Sequence, residues 1–132
     1  MISKVPLIYL AGGMKSGWQD VVKKALPGIS FIDPRDHPFT TEAEYTSWDL
    51  SMLDKSDIVF AFLEKSNPGG QGLCVEVGFA CKKGIPVVFV EEPGRPDHRY
   101  LGMVRAISSY NSDSLEKGIE HLKNLIAMNY PK

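Results

Sequence analysis

The chain has 132 residues, of which 43% are hydrophobic and 23% are charged, and its formal net charge is −1. This length and composition predict one globular domain over residues 1–132 and exclude a disordered chain. The near-neutral charge argues against nucleic acid as a partner, and the longest apolar run, residues 58–63, is too short to span a membrane.

The first predicted strand, Lys4–Ala11, ends at a pair of glycines, Gly12 and Gly13. Two glycines at the carboxyl end of a strand allow the backbone to turn sharply or to approach a ligand closely. The third glycine of a dinucleotide fingerprint is missing, and no P-loop motif is present. Neither a bound dinucleotide cofactor nor a P-loop is therefore expected.

A helix from Gly17 to Leu26 follows, with Ser16 as its predicted cap and Pro27-Gly28 as its end. Trp18 lies in the first turn of this helix. Its large ring either joins the core or forms one wall of a pocket, and the sequence leaves both alternatives open.

Asp33 stands directly after a short second strand, Ile29–Ile32, and opens a loop that contains two prolines. In a parallel sheet the carboxyl ends of the strands share one edge, so Asp33 is predicted on the same rim as Gly12. The alternative is that Asp33 makes only an Asx-turn within its own loop.

The second helix, Thr41–Ser56, carries a carboxylate within its apolar stripe. The predicted capping residues are Thr40 or Thr41 with Glu42 or Glu44. The stripe consists of Tyr45, Trp48, Met52 and Leu53. Asp49 lies inside this stripe, where a carboxylate needs a partner or a chemical task. The alternative is a position at the edge of the stripe with access to water.

Residues 57–90 organise the predicted fold, because they form a strand, a glycine-rich loop, a helix and a further strand. The apolar run IVFAFL suits a strand that is buried on both faces of a parallel sheet. The helix is predicted over Gln71–Lys83, with Gly84 as its left-handed terminator, and PVVFV resumes the sheet. The unit is therefore a right-handed βαβ crossover. Asp57, which opens the strand, is expected to bind loop amides.

Glu76 is unexpected in this helix, because it lies at the margin of the stripe that faces the sheet. The stripe consists of Leu73, Val77, Ala80 and Cys81. Glu76 follows the glycine-rich loop by one turn, where open α/β sheets bind ligands and where a helix N-terminus favours an ionised carboxylate. An ionised carboxylate suits a nucleophile, whereas the alternative is a solvated or capping glutamate.

After Val90, residues 91–102 are predicted to form a loop over the site or at a subunit contact. Met103–Ser108 is a predicted short fifth strand, and Ser112 or Ser114 caps a final amphipathic helix. Five strands thus alternate with four helices. The predicted fold is a doubly wound α/β domain with a mostly parallel sheet of the flavodoxin or Rossmann type.

The two cysteines, Cys74 and Cys81, lie about 10 Å apart on one predicted helix, too far for a disulfide. They are interpreted as small buried residues in a reducing compartment. No signal-peptide pattern opens the chain, so a cytoplasmic protein is expected. The three histidines show no metal-ligand spacing, and no metal is predicted.

Four segments, in order, carry a family resemblance: IYLAGG, WDLSMLDKSDIVFAF, the glycine loop before CVEVGFA, and KKGIPVVFV. They cover roughly residues 5–90, and through them the sequence resembles the nucleoside 2-deoxyribosyltransferase family. The resemblance implies that Glu76 is the nucleophile and that Tyr9 assists it. It also implies that Asp49 binds the sugar hydroxyls or aids departure of the base.

One departure from the family concerns the loop before Glu76. Many transferases of the family carry an aspartate there, and this chain has residues 67–71 with the sequence NPGGQ. The change leaves the sugar preference open. Relatives of the family hydrolyse nucleoside monophosphates and hold the phosphate with serines and helix amides. The residues that match this role are Ser66, Gly70, Gln71 and Gly72.

The sequence therefore favours an enzyme that cleaves the N-glycosidic bond of a nucleoside or nucleotide through a glycosyl-Glu76 intermediate, as retaining glycosidases do. The other substrate-binding candidates are Gly12, Gly13, Trp18, Asp33 and Phe39. The two aromatic candidates are suited to stacking on the base, and no cofactor is required. The alternative is a non-catalytic nucleotide-binding module. A phosphotransfer receiver is disfavoured, because the first strand lacks the acidic pair that binds magnesium.

A homo-oligomer, at least a dimer, is expected from the helix that bears the predicted nucleophile. Val75 and Phe79 point away from the sheet, and a chain of 132 residues offers no obvious element to cover them. The resemblance implies association too, with a residue from the C-terminal part of one subunit reaching the neighbour's site. Ser109 and Asn111 are the candidates. The alternative is that Phe79 packs under residues 93–102 of its own chain.

Overall fold

The computed structural model describes residues 5–131, which form a five-stranded, wholly parallel sheet with helices on both faces. The strands are β1 (Leu7–Gly12), β2 (Ser30–Ile32), β3 (Ile58–Leu63), β4 (Val87–Glu91) and β5 (Tyr110–Ser112). Their order across the sheet is β2-β1-β3-β4-β5. The doubly wound α/β fold is thus confirmed. Lys4, the first residue of the predicted first strand, lies outside the described residues.

Five α-helices cover the sheet: α1 (Trp18–Ala25), α2 (Glu42–Asp54), α3 (Gln71–Lys83), α4 (Gly102–Ile107) and α5 (Leu115–Asn129). Alternate residues of β1 face opposite layers, as the pleat of a strand requires. Ile8 shares a core cluster with α1 and α5, whereas Tyr9 shares one with α2, α3 and α4. Within the described residues, no helix combines the length and the apolar character needed to cross a bilayer.

The central βαβ unit follows the sequence prediction. All six residues of β3 are buried, and α3 has the predicted bounds. Gly84 ends this helix in the left-handed conformation, with φ of 74°. Asp57 Oδ2 accepts a hydrogen bond of 2.8 Å from the Leu7 N–H, so Asp57 binds a backbone amide as expected. It ties the start of β1 to the start of β3.

Two helix caps resolve alternatives that the sequence left open. Thr41 caps α2, since its Oγ1 accepts a hydrogen bond of 3.4 Å from the Glu44 N–H. Ser114 caps α5, since its Oγ accepts a hydrogen bond of 3.1 Å from the Lys117 N–H. Both helices therefore begin where a hydroxyl satisfies a free backbone amide.

Three predictions are wrong. Ser16 is not the cap of α1, because Gly17 occupies the N-cap position without a side-chain cap hydrogen bond. The segment predicted as the fifth strand, Met103–Ser108, forms α4, and β5 follows it. The Ser108 hydroxyl donates to the Val104 carbonyl at 2.7 Å, a pairing that requires a helical turn. Cys81 is exposed and Cys74 is only half-buried, whereas the buried residues of α3 are Leu73, Val77 and Ala80. Cys81 lies at the edge of that buried face, about 100° around the helix from Ala80.

Candidate active site

The candidate site lies where the path of the chain reverses across the sheet. The chain runs from β1 outward to β2 and then returns to β3 on the other side of β1. This reversal leaves a crevice at the carboxyl ends of β1 and β3. A cleft of about 190 Å³ occupies the crevice. It is lined by Gly12, Met14, Pro34, Asp49, Asn67, Gly70, Gly72, Leu73 and Glu76.

Tyr9 and Glu76 form the central contact of the site. Tyr9 is fully buried in β1 and belongs to the core cluster that α3 covers. Its hydroxyl therefore meets the Glu76 side chain in the second turn of α3, and it donates a hydrogen bond to Glu76 Oε2. The structure thus brings together two of the three predicted catalytic residues.

The environment of this pair favours its protonated forms. Burial, with a smaller contribution from the Asp49 carboxylate, raises the pKa of Glu76 to about 7, although the hydrogen bond from Tyr9 acts in the opposite direction. Burial and the Glu76 carboxylate likewise raise the pKa of Tyr9, so the phenol keeps its proton at neutral pH. The helix N-terminus was expected to keep Glu76 ionised, but desolvation is the larger effect here.

Asp49 projects from α2 into the same cleft. Its side chain is 18% exposed, and burial raises the pKa of its carboxyl group while His37 acts in the opposite direction. Oδ1 is buried and accepts no hydrogen bond from the described part of the chain. Asp49 is therefore not a solvated residue at the edge of its helix, and it has the capacity to bind a polar group in the cleft.

Gly12 occupies a position where β1 approaches β3 too closely for a side chain. Its φ is 150°, and a β-carbon would overlap the Phe62 carbonyl oxygen and lie 2.9 Å from the Trp18 ring. Gly13 follows, and its carbonyl accepts hydrogen bonds of 2.8 Å from Trp18 Nε1 and Gln19 Nε2. The glycine pair therefore shapes one wall of the cleft by letting the backbone turn at the strand end.

Arg95 fixes the glycine-rich loop that leads into α3. Its side chain is 3% exposed. Nη1 donates to the carbonyl oxygens of Glu64 and Asn67, and Nη2 donates to the Gly69 carbonyl at 3.1 Å. Asp97 pairs with the same guanidinium at 3.1 Å. One buried cation thus holds three carbonyl groups of the loop and sets where α3 begins.

A larger cleft of about 620 Å³ continues from the first, because Met14 and Asn67 line both. Its lining consists of Gly13, Met14, Lys15, Ser16, Glu64, Ser66, Asn67, Pro68 and Gly69. Of the predicted phosphate-binding residues, Ser66 lies in the larger cleft and Gly70 and Gly72 lie in the smaller one. Gln71 is exposed at the start of α3 between them.

Trp18 and Asp33 lie outside both clefts. Trp18 is 3% exposed and packs in the cluster under α1, so the structure shows the core alternative. Asp33 is 1% exposed, with Lys23 Nζ at 2.8 Å and Arg35 Nη2 at 2.6 Å, and it accepts the Asx-turn bond from the Arg35 N–H. Although burial opposes the shift, these partners lower the pKa of Asp33 to about 2. Its carboxylate stabilises the loop after β2.

Three further candidates also lie away from the Glu76 cleft. Phe39 is 38% exposed and stacks on His37 with ring centroids 5.9 Å apart. Ser109 stands at the amino end of β4, where its Oγ accepts a hydrogen bond of 3.2 Å from the Val87 N–H. Asn111 lines a separate cleft of about 430 Å³ beside β5. The expectation that Ser109 or Asn111 serves a neighbouring subunit stays a prediction.

Two residues of the site, His37 and Arg95, were not predicted from the sequence. His37 comes within 3.5 Å of Asp49 after the 3₁₀ turn Pro34–Asp36. The only sequence signal for it was a histidine in the loop that follows Asp33, and nothing in the pattern singled out Arg95. Among the residues with described positions, no group of three or more His, Cys, Asp or Glu could hold a metal ion.

Comparisons with known proteins place these features in a wider context. A family model described as nucleoside 2-deoxyribosyltransferase like matches residues 5–93. No curated protein sequence matches the chain significantly.

Three solved structures show a similar fold. The 2-deoxyribosyltransferase of Bacillus psychrosaccharolyticus is 20% identical with a TM-score of 0.64, over 84% of this chain and 88% of that one. The CMP N-glycosidase BcmB of Clostridium botulinum is 18% identical with a TM-score of 0.64, over 90% of this chain and 98% of that one. BlsM is 20% identical with a TM-score of 0.62, over 98% of both chains. At these identities the similarity establishes the fold.

Proposed function

The chain belongs to the nucleoside 2-deoxyribosyltransferase-like family. We therefore propose that it cleaves the N-glycosidic bond of a nucleoside or nucleoside monophosphate and passes the sugar to water or to a second base. One observation carries this proposal. Tyr9 donates to Glu76 at the edge of a cleft that Asp49 also lines. A nucleotide-binding module would need the cleft, but it would not need a buried carboxylate held by a phenol beside a second carboxylate.

Glu76 is the proposed nucleophile. With Oε2 held by Tyr9, Oε1 attacks C1′ of the sugar, the C1′–N bond breaks, and its electron pair leaves with the base. The intermediate is a glycosyl ester of Glu76. In the second step, water or a second free base attacks C1′ and loses a proton, and the Glu76 carboxylate is released. Attack by water gives hydrolysis, and attack by a second free base gives transfer.

Asp49 is proposed to contact the sugar hydroxyls or to support proton transfer to the leaving base. Its raised pKa brings the carboxyl group closer to the range in which it can donate a proton. Its buried Oδ1 is available to accept from a substrate group in the cleft. Phe39 does not line the cleft, but it packs on His37, which contacts Asp49. It is the aromatic side chain proposed to stack on the base, since Trp18 is buried in the core.

The larger cleft supports a substrate with a 5′-phosphate. Lys15, Ser16 and Ser66 line it, and the amides at the start of α3 lie beside it. A nucleotide substrate also agrees with the fold shared with an enzyme named CMP N-glycosidase. The loop at residues 67–71 has the sequence NPGGQ where many transferases carry an aspartate shortly before the nucleophile, and this departure leaves the sugar preference open.

We also propose a homo-oligomer, at least a dimer, in which a second copy completes the site. Phe79 is partly buried against the core of its own chain, but Val75 on α3 is 59% exposed. Tyr100 and Met103 on the neighbouring segment are 71% and 81% exposed. These side chains offer an apolar surface next to the helix that bears Glu76.

The proposal is tested with a panel of nucleosides and their 5′-monophosphates, incubated with and without a second free base and separated by chromatography. Release of free base without an acceptor identifies a hydrolase, and a new nucleoside identifies a transferase. A 2-fluoro-sugar substrate should add its glycosyl mass at Glu76, measured by mass spectrometry. Glu76→Ala should abolish turnover without unfolding the protein. Binding of panel members with no turnover would favour the non-catalytic module instead.

A further inference from the structure

The contact between His37 and Asp49 has no role in the reaction as proposed so far. His37 Nε2 lies 3.5 Å from Asp49 Oδ1, and the histidine side chain is 9% exposed. Asp49 Oδ1 is buried and accepts no hydrogen bond among residues 5–131. This oxygen therefore has unused capacity on the side where His37 stands.

Aromatic rings hold the imidazole of His37 in place. Phe39 and Tyr45 stack on it at centroid distances of 5.9 and 6.5 Å, with interplanar angles of 26° and 10°. Trp48 meets it edge-on at 5.0 Å. A ring packed on several sides has few alternative rotamers, so Nε2 stays close to Asp49 Oδ1.

A backbone hydrogen bond sets which ring nitrogen of His37 carries the proton. The Phe39 N–H donates to Nδ1 at 3.2 Å, and a nitrogen that accepts a hydrogen bond presents a lone pair. The neutral ring therefore carries its proton on Nε2. Because Nε2 faces Asp49, His37 presents a donor to that carboxylate without needing a positive charge.

The other titratable groups around Asp49 do not supply this donor. Tyr9 from β1 donates its hydrogen bond to Glu76. Glu76 from α3 is a second carboxylate, and its pKa is raised by the charge of Asp49. A donor from the loop after β2 offsets this repulsion and restrains the Asp49 carboxylate from rotating out of the cleft.

We propose that His37 is a positioning residue for N-glycosyl transfer, whose Nε2–H holds the Asp49 carboxylate toward the Glu76 cleft. The inference rests on the proposed function of the site. Catalytic hydrogen bonds are often long before the substrate binds. The separation of 3.5 Å is longer than a hydrogen bond, and the proposal requires that it shorten to one in the substrate complex.

Two substitutions separate a donor role of His37 from a packing role. His37→Phe keeps an aromatic ring among its neighbours but removes the Nε2–H, whereas His37→Gln removes the ring and supplies an amide N–H at a similar reach. With the panel member that the wild type turns over fastest, we expect His37→Phe to lower kcat roughly 10-fold to 100-fold, as for other partners that orient a functional side chain. His37→Gln should retain more of kcat. The proposal would be overturned if His37→Phe kept the wild-type kcat, or if the kcat of His37→Gln were lower than that of His37→Phe.

A double-mutant cycle tests whether the effect passes through Asp49. In an Asp49→Asn background, His37→Phe should cause little further loss of kcat, because the carboxylate that His37 positions is gone. Losses that multiply as if the two sites were independent would assign His37 a role in packing alone.

A measurement without turnover keeps this inference separate from the proposed function. Proton–nitrogen correlation spectra of the imidazole rings at pH 8 should show His37 with a protonated Nε2, and Asp49→Asn should shift that resonance. His98 and His121 line another cleft and serve as internal controls. A His37 resonance that Asp49→Asn leaves unchanged overturns the inference. If Asp49→Asn shifts the His37 resonance but the wild type turns over no panel member, the proposed function is overturned. The catalytic role of the His37–Asp49 pair is then overturned with it.

Discussion

The Tyr9 hydroxyl donates a hydrogen bond to Oε2 of Glu76, although the two residues lie 67 positions apart in the sequence. The donor comes from the middle of β1 and the acceptor from the second turn of α3. This bond lowers the pKa of Glu76 against the larger effect of burial, which raises it to about 7. A nucleophilic carboxylate must be ionised, so Tyr9 keeps more of Glu76 reactive at neutral pH.

The first prediction concerns Tyr9→Phe. Removal of the donor should raise the pKa of Glu76 further, so the rising limb of kcat/KM against pH should move to higher pH. Because hydrogen bonds to charged groups contribute about 1.5–3 kcal/mol, we expect a loss of roughly 10-fold to 100-fold at pH 6. Activity should recover partly at pH 9, where Glu76 is ionised in both proteins. A profile that keeps its shape and position would show that Tyr9 does not act through Glu76.

The second prediction is that Glu76→Gln loses activity and gains stability. The Glu76 pKa of about 7 in the fold lies above its ordinary value of 4.5, so the folded state favours protonated Glu76. The stability that this protonated form contributes is fully present below pH 4.5 and is lost as pH rises through 7. Glu76→Gln keeps the neutral form at every pH. We expect the variant to be inactive yet more stable than the wild type at pH 8, by on the order of 1–3 kcal/mol.

Urea denaturation at pH 8 and pH 4 measures this difference in the free energy of unfolding. At pH 4 both side chains are neutral, so the two proteins should unfold at closely similar urea concentrations. A variant that is less stable than the wild type at pH 8 would contradict the pKa shift on which the prediction rests.

The third prediction concerns Asp49→Asn, which keeps the shape of the side chain and removes its charge. If Asp49 contacts the sugar or assists the leaving base, the chemical rate should fall by roughly 10²–10⁴, the range for a lost acid–base contribution. Single-turnover kinetics separate this loss from weaker binding. A near-normal rate would remove Asp49 from the site.

The sequence was sufficient for the central unit because its signals are local. The apolar run of β3, the glycine that ends α3 and the hydroxyl caps each act within a few residues of themselves. Glu76 could be singled out because a charged residue at the margin of an apolar stripe is visible in the helical period.

Features that depend on distant segments were not predictable. Burial of Glu76 by the fold outweighs the local effect of the helix terminus, so its ionisation differs from the expectation. His37 contacts Asp49 because a 3₁₀ turn precedes it, and the ion pairs of Asp33 stabilise that turn. In α4, six residues are too few for periodicity to separate a helix from a strand.

The last prediction is that a neighbouring subunit completes the Glu76 cleft and that Asn111 is the residue it donates. Asn111 is exposed and lines an open cleft. Its Nδ2 donates to the Arg105 carbonyl at 3.0 Å, but its amide oxygen can still bind a group in the neighbour's site, so Asn111→Ala should be inactive without unfolding. Glu76→Ala should be inactive for its own reason. If each site combines Glu76 from one subunit with Asn111 from another, mixing the two variants should restore part of the activity as subunits exchange. Ser109→Ala is the matched control, because the Ser109 hydroxyl is bound to Val87 within its own chain. A monodisperse, fully active monomer by light scattering would contradict both the oligomer and the shared site.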